Sequence, residues 1–200
     1  MKKVCAAFTA CVLLIVGVVC AENKESAKKE IKAKSEVEMK LTSEAFKEGE
    51  FIPKKYSCED ADISPALEIA GIPEGTKSLA LICDDPDAPV GLWVHWVAYN
   101  IPPDATILPE GIAKDMQTML GDDSSATITQ GINSWGKFGY GGPCPPPGKP
   151  HRYFFKLYAL DNVLNIDDGT VQKGINNEGL LKLMDGHILA ETSLMGKYKR

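Results

Sequence analysis

The sequence predicts a mostly β protein with two antiparallel sheets and one or two short helices. Short apolar runs rich in β-branched and aromatic residues alternate with Pro- and Gly-rich segments, which is the pattern of strands separated by turns. Helix signals are few, the best of them lies near the C-terminus, and neither heptads nor an internal repeat is visible. With 200 residues, of which 44% are hydrophobic, the chain is long enough for one domain with its own core.

Three strands are predicted in the middle of the chain. Ser78–Cys83 is a continuous apolar run that enters the segment Asp84-Asp85-Pro86-Asp87-Ala88-Pro89, where two prolines prevent further strand or helix. Trp93–Ile101 is rich in aromatic and β-branched residues and is the second strand. Tyr153–Leu160 is the third, and it follows a long loop, Gly131–Pro150, that is rich in Gly and Pro.

Two further elements are predicted near the C-terminus. Glu178–Asp185 is the best helical segment, and Gly186 provides a stop signal directly after it. Ile188–Tyr198 follows as the last strand, and its alternation places three residues on one face: Leu194, Gly196 and Tyr198.

The N-terminus has the pattern of a secretory signal. Lys2 and Lys3 precede an almost wholly apolar run, Val4–Val19, which is short for a membrane span. Val19 and Ala21 are suitable for positions −3 and −1 of a cleavage after Ala21, so residues 1–21 are predicted to be a signal peptide and the protein to be exported, either periplasmic or secreted. Lipidation of Cys20 is the alternative, although the residue before such a cysteine is normally small and is here Val19.

Residues 22–39 alternate Lys and Glu and hold few large apolar residues, so they are predicted to be a charged linker before a domain at 40–200. The chain carries 22 Lys and Arg against 27 Asp and Glu. Cleavage after Ala21 would remove two lysines and no acid, which takes the net charge from −5 to −7. Nucleic acid is therefore not expected as a partner, because phosphate contacts need clustered Lys and Arg.

Three cysteines would remain after cleavage. Cys83 lies in an apolar run and is predicted to be a buried thiol. Cys58 and Cys144 lie in turn-rich segments and are the better candidates for a disulfide in an oxidising compartment.

Two of the three histidines lie in predicted strands beside Pro-rich loops. His95 is expected to share a face with Trp93 and two later residues of its strand, Val97 and Tyr99. His151 is expected to share a face with Tyr153 and Phe155. A histidine on an apolar strand face is often only a satisfied core residue, so this alternative stays open for both.

Together these residues predict a small anion pocket ringed by aromatic side chains. A carboxylate such as Asp85 beside an imidazole orients the ring and favours its charged form, which can donate a hydrogen bond to an anion. The backbone N–H groups of Gly141 and Gly142 are expected to form a small anion nest, and Tyr153 could add a hydroxyl donor.

Several ordered motifs resemble the signature regions of the phosphatidylethanolamine-binding proteins. The similarity runs from about Met39 to Arg200, and five segments carry it: Asp62–Leu67, Asp84–Pro89, Trp93–Trp96, Gly141–Tyr153 and His187–Glu191. The Asp62 and His187 segments look like the bacterial branch, which is often labelled Raf-kinase-inhibitor-like. The resemblance implies a Greek-key β-sandwich with a pocket for phosphate, acetate or a phosphoethanolamine headgroup, lined by Asp85, Pro89, Trp93, His95, His151 and Tyr153, with Gly141 and Gly142 as the glycine pair of the loop.

The leading hypothesis is therefore non-catalytic binding of a small anionic or phosphorylated ligand, for example a phospholipid headgroup, without a cofactor. The alternative is a secreted interaction protein that inhibits a protease or modulates signalling, as some members of the family do. Catalysis and a metal site are not expected: no activated Ser, Cys–His pair or phosphate-binding loop is visible, and the resemblance implies anion binding without metal. Whether the protein forms a homodimer stays open.

Overall fold

Nine strands form two antiparallel sheets in the part of the chain that this computed structural model describes, residues 38–120 and 126–200. The strands are β1 (Lys40–Thr42), β2 (Leu67–Ala70), β3 (Ser78–Asp85), β4 (Trp93–Ile101), β5 (Ile107–Leu108), β6 (Gln117–Met119), β7 (Thr127–Gln130), β8 (His151–Leu160) and β9 (Ile188–Tyr198). Those predicted from the sequence, β3, β4, β8 and β9, are all present.

The large sheet has the order β6-β7-β4-β3-β8-β9 and the small sheet the order β1-β2-β5. In the large sheet β3, β4 and β7 lie side by side, and β8 returns to pair with β3, which is the strand order of a Greek key. The connection between β4 and β7 passes through β5 and β6. The mostly β prediction with two antiparallel sheets is confirmed.

Two hydrophobic layers pack against the large sheet, one on each of its faces. The core between the two sheets includes Leu67 from β2, Leu81 from β3 and Phe155 from β8. Met39 is also buried there, so the packed domain includes the last residue of the predicted linker. The predicted signal peptide 1–21 and the linker residues 22–37 lie outside the described residues.

The second layer covers the other face of the large sheet, and one of two helices contributes to it. Helix α1 (Asp168–Lys173) buries none of its residues; its N-cap is Asp167, whose carboxylate accepts from the Thr170 N–H at 3.0 Å. Helix α2 (Asn177–Met184), predicted as Glu178–Asp185, buries Leu180 and Met184 against the sheet. Within residues 38–120 and 126–200, no helix has the length and apolar content needed to cross a membrane.

A β-bulge in β4 decides which way His95 faces. Its neighbours Val94 and Trp96 pair with consecutive residues of β3, so His95 is an extra residue in the ladder. Val97 and Tyr99 pack in the layer under the helices, whereas Trp96 packs between the sheets. The prediction that His95 shares a face with Val97 and Tyr99 is therefore wrong, because the bulge breaks the alternation on which it rested.

A disulfide joins Cys58 and Cys144, across a sequence separation of 86 residues. Cys83 is buried in β3 as a free thiol, and burial raises its pKa well above the ordinary value. Both cysteine predictions are thus confirmed. The disulfide ties the Pro-rich loop before β8 to the segment that precedes β2.

Candidate ligand-binding site

A cavity of about 190 Å³ opens where three strand ends meet. Because β3 runs antiparallel to both neighbours, its C-terminal end lies beside the N-terminal ends of β4 and β8. Six predicted site residues line this cavity: Asp85, Pro89, Trp93, His95, His151 and Tyr153. The remaining wall comes from loop residues: Ala88, Val90, Trp135, Cys144, Pro145 and Pro146.

Asp85 orients His151 in this cavity. The Asp85 carboxylate is buried, and its Oδ2 lies 2.8 Å from Nδ1 of His151. The other oxygen, Oδ1, accepts the backbone N–H of Asp87 at 2.8 Å. Since both oxygens already accept hydrogen bonds within the protein, Asp85 acts on a guest through His151, whose Nε2 is the ring nitrogen left for the cavity.

His95 has a different partner from the carboxylate expected for it. Its Nδ1 lies 2.6 Å from the carbonyl oxygen of Gly141, and because a carbonyl can only accept, Nδ1 carries the proton. Burial lowers the pKa of His95, and the Gly141 carbonyl and the Asp85 charge oppose this effect only in part. Burial therefore favours the neutral ring with its proton on Nδ1, and Nε2 is the nitrogen left for the cavity.

Tyr153 contributes a buried ring and a hydroxyl directed to Asp85. The residue is 1% exposed, and the Asp85 side chain is the group that its hydroxyl meets. Burial, together with the nearby Asp85 charge, raises the pKa of Tyr153, so the hydroxyl keeps its proton. Its ring meets the ring of His95 edge-on, with centroids 5.1 Å apart.

Gly141 and Gly142 do not form the expected anion nest. The Gly141 N–H donates to the His95 carbonyl at 2.8 Å, and the Gly142 N–H donates to Oδ1 of Asp62 at 2.6 Å. Neither glycine lines the cavity between the histidines; both line a neighbouring cavity of about 570 Å³. The prediction fails because both N–H groups are already satisfied within the protein.

Trp135, in the long loop Gly131–Pro150, forms a wall of both cavities. Its ring meets the rings of Trp93 and His95 edge-on, at centroid distances of 5.3 and 5.0 Å. The Asn133 side chain holds it there, because Oδ1 accepts the backbone N–H of Trp135 at 3.0 Å. An Asn-x-Trp-Gly turn was the available signal, but it does not specify which strand the tryptophan meets.

An ion pair anchors the loop that forms one side of the cavity. Arg152 reaches both carboxylate oxygens of Asp87, at 2.9 Å from Nε and 2.7 Å from a terminal nitrogen. The Arg152 guanidinium lowers the pKa of Asp87 to about 2. A bidentate pair of this kind holds the Pro-rich loop in register with the start of β8.

The pocket therefore presents two imidazole Nε2 atoms to a small polar guest. Cys144 is bonded to Cys58, so it offers no thiolate nucleophile. In residues 38–120 and 126–200, no three His, Cys, Asp or Glu side chains are grouped so that they could hold a metal ion. The fold and the pocket define a β-sandwich protein of the ligand-binding class.

The chain belongs to the phosphatidylethanolamine-binding protein family, whose model matches residues 42–199. A UPF0098 protein of Methanothermobacter thermautotrophicus is 48% identical over 162 residues, which cover 81% of this chain and 99% of that protein. Two solved structures are similar to this fold, and each alignment covers 82% of this chain. One is a phosphatidylethanolamine-binding protein homologue from Chlamydia trachomatis, with 44% identity, a TM-score of 0.68 and 98% of that chain covered. The other is YbcL of Escherichia coli, with 32% identity, a TM-score of 0.70 and 99% of that chain covered.

Proposed function

We propose that this protein binds a small anionic or phosphorylated group between His95 and His151 and does not turn it over. The observation that carries the proposal is the matched arrangement of the two rings. Each Nδ1 is held by an acceptor of the protein, the Gly141 carbonyl at 2.6 Å and the Asp85 carboxylate at 2.8 Å. Each Nε2 is therefore the nitrogen left for a guest. His95 takes up a proton at Nε2 when the anion binds, and a protonated ring donates from Nε2 to an oxyanion.

The size and lining of the cavity restrict the guest. A volume of about 190 Å³ is below the roughly 300 Å³ at which pockets for drug-sized ligands begin. It suits one phosphate, carboxylate or headgroup rather than a whole phospholipid. The Trp93 and Pro89 side chains provide an apolar wall that limits competition from water.

The test is titration of inorganic phosphate and of phosphoethanolamine into the purified protein by calorimetry. His95→Ala or His151→Ala should weaken binding by about 1–3 kcal/mol, roughly 5- to 150-fold, because a charge-assisted hydrogen bond is lost. His187→Ala is the matched control, since His187 pairs with Asp161 at 2.8 Å and does not line the pocket. Unchanged binding in both site variants would reject the proposal.

Binding without turnover is favoured by the chemistry of the lining residues. The Asp85–His151 pair could act as a general base. However, the cysteine that lines the cavity, Cys144, is in a disulfide and so provides no thiol nucleophile. Hydrolysis of phosphate esters or carboxylic esters by the wild type, lost in His95→Ala, would overturn this part of the proposal.

We further propose that the chain is exported after cleavage behind Ala21. The disulfide between Cys58 and Cys144 supports this, because disulfides persist mainly in oxidising compartments. Mass spectrometry of the mature protein should find Glu22 as the free N-terminus. A lipid-modified Cys20, or a retained Met1, would contradict it.

A further inference from the structure

Asp62 adopts a backbone conformation that few residues other than glycine tolerate. Its φ is 54°, in the left-handed region, where Asp and Asn are the least disfavoured alternatives to glycine. Its carboxylate makes two short contacts: Oδ1 accepts the Gly142 N–H and Oδ2 accepts Nζ of Lys114, both at 2.6 Å. The strained position therefore places a carboxylate where it anchors the loop before β8.

The anchored loop segment has little freedom to move. A Cβ at Gly142 would lie 2.3 Å from the Tyr56 carbonyl oxygen, so the backbone there packs directly on the segment that contains Asp62. The Tyr140 hydroxyl donates to that same carbonyl at 2.9 Å. On the other side, the Cys58 N–H donates to the Pro143 carbonyl at 3.2 Å, next to the disulfide.

This anchor sets the position of the Gly141 carbonyl, which is the partner of His95. Gly141 and His95 exchange two hydrogen bonds: the Gly141 N–H donates to the His95 carbonyl at 2.8 Å, and Nδ1 of His95 donates to the Gly141 carbonyl at 2.6 Å. A shift of the Gly141–Gly142 peptide would therefore release the imidazole. The ring could then take either tautomer, and Nε2 would no longer be fixed toward the cavity.

We propose that Asp62 is a positioning residue of the ligand site: by holding the Gly142 N–H it fixes the Gly141 carbonyl, which selects the tautomer of His95 that presents Nε2 to the guest. The consequence for affinity rests on the proposed function, whereas the consequence for the tautomer does not. A carboxylate that orients a ligand-binding histidine through an intermediate group acts like an outer-shell partner, whose loss typically costs about 10- to 100-fold in affinity.

Asp62 acts through this hydrogen bond more than through its charge. Two carboxylates raise the pKa of His95 through their charge, Asp85 and, more weakly, Asp62. The other titratable side chains that line the same cavity are His151 and Tyr153. The Lys114 ammonium, at 2.6 Å, offsets the Asp62 charge. A neutral side chain that keeps the acceptor should therefore keep the position of His95, and a side chain without an acceptor should lose it.

The experiment compares Asp62→Gly, Asp62→Asn and Lys114→Met in the full mature chain. Glycine adopts φ near 54° without strain, so Asp62→Gly removes the acceptor and leaves the backbone conformation available. Asparagine keeps an oxygen at the same position and tolerates the same φ. Lys114→Met removes the ion pair and leaves the Asp62–Gly142 hydrogen bond. Near-ultraviolet circular dichroism establishes that each variant is folded.

The first readout is the tautomer of His95, from long-range proton–nitrogen NMR correlations of the imidazole, assigned with His95→Gln. The wild type, Asp62→Asn and Lys114→Met should show the neutral ring with its proton on Nδ1, and Asp62→Gly should show both tautomers. The second readout is phosphate affinity by calorimetry, which should fall about tenfold in Asp62→Gly and less than about threefold in the other two.

A wild-type tautomer in Asp62→Gly would overturn the proposal. So would an Asp62→Asn protein that behaves like Asp62→Gly, because the charge would then matter more than the hydrogen bond. If the tautomers change as expected but the wild type binds no phosphate or phosphoethanolamine, the positioning role stands and the proposed function fails.

Discussion

Removal of the disulfide offers the most quantitative test of how this fold is held together. Cys58 and Cys144 are separated by 86 residues, and they join the loop that borders the pocket to the segment before β2. For a loop of this length the chain-entropy relation gives about 4.6 kcal/mol at 25 °C for the constraint on the unfolded state. Measured effects of native disulfides reach this value or fall below it, so replacing both cysteines by serine should lower the free energy of unfolding by about 2–5 kcal/mol.

Urea unfolding followed by tryptophan fluorescence measures this difference, with the wild type and the double variant each studied with and without dithiothreitol. Reduction should destabilise the wild type to the level of the double variant and leave the double variant unchanged, because its remaining described thiol, Cys83, is already free. A loss below about 1 kcal/mol would refute the reasoning, since the unfolded chain would then be constrained by something other than this bond.

Three further predictions concern charge and packing. Affinity for sulfate, measured by calorimetry, should fall as pH rises from about 5 to 8, because burial lowers the pKa of His95 and an anion requires the protonated ring. The affinity should depend less on pH in His95→Gln. A wild-type affinity independent of pH would contradict this. Lys156→Ala should cost about 2–4 kcal/mol in urea unfolding at pH 7, because it leaves the buried Asp84 carboxylate without its partner at 2.6 Å. Burial also raises the pKa of Asp84, so this cost should shrink toward about pH 5 and largely disappear when Asp84→Asn is added; an equal cost at both pH values would count against it. Gly142→Ala should destabilise the fold by about 2 kcal/mol or more in the same assay, because its Cβ would lie 2.3 Å from the Tyr56 carbonyl oxygen; a neutral effect would mean that the loop can move away.

Local sequence signals were sufficient for the main elements. β4 and β9 have the predicted bounds, and β3 differs from its prediction only at its C-terminal end, where it continues to Asp85. These strands are long and apolar, and Pro or Gly ends most of them, so local preference and burial favour the same structure. The five shorter strands, β1, β2, β5, β6 and β7, were not predicted, because each has only two to four residues and so carries too weak a pattern to stand out.

For the candidate site, the lining residues were predicted but the hydrogen-bond partners of the histidines were predicted only in part. The convergence of Asp85, His95 and His151 was expected from the family resemblance, and the three side chains do line one cavity. The partner of each ring was not predictable in the same way. His95 pairs with a backbone carbonyl rather than a carboxylate, and the bulge that turns it toward the cavity exists only in the register of β3 with β4.

The sequence by itself determined a mostly β domain, the two cysteines able to pair and the residue types of a polar pocket, because strand patterns, turn residues and motifs depend on neighbours along the chain. Only the tertiary structure decided the tautomer of His95, the loss of Gly141 and Gly142 as anion donors, and the roles of Trp135 and Asp62. Each of these depends on a contact between segments far apart in the chain, and a shift of one hydrogen bond there changes which atom faces the guest.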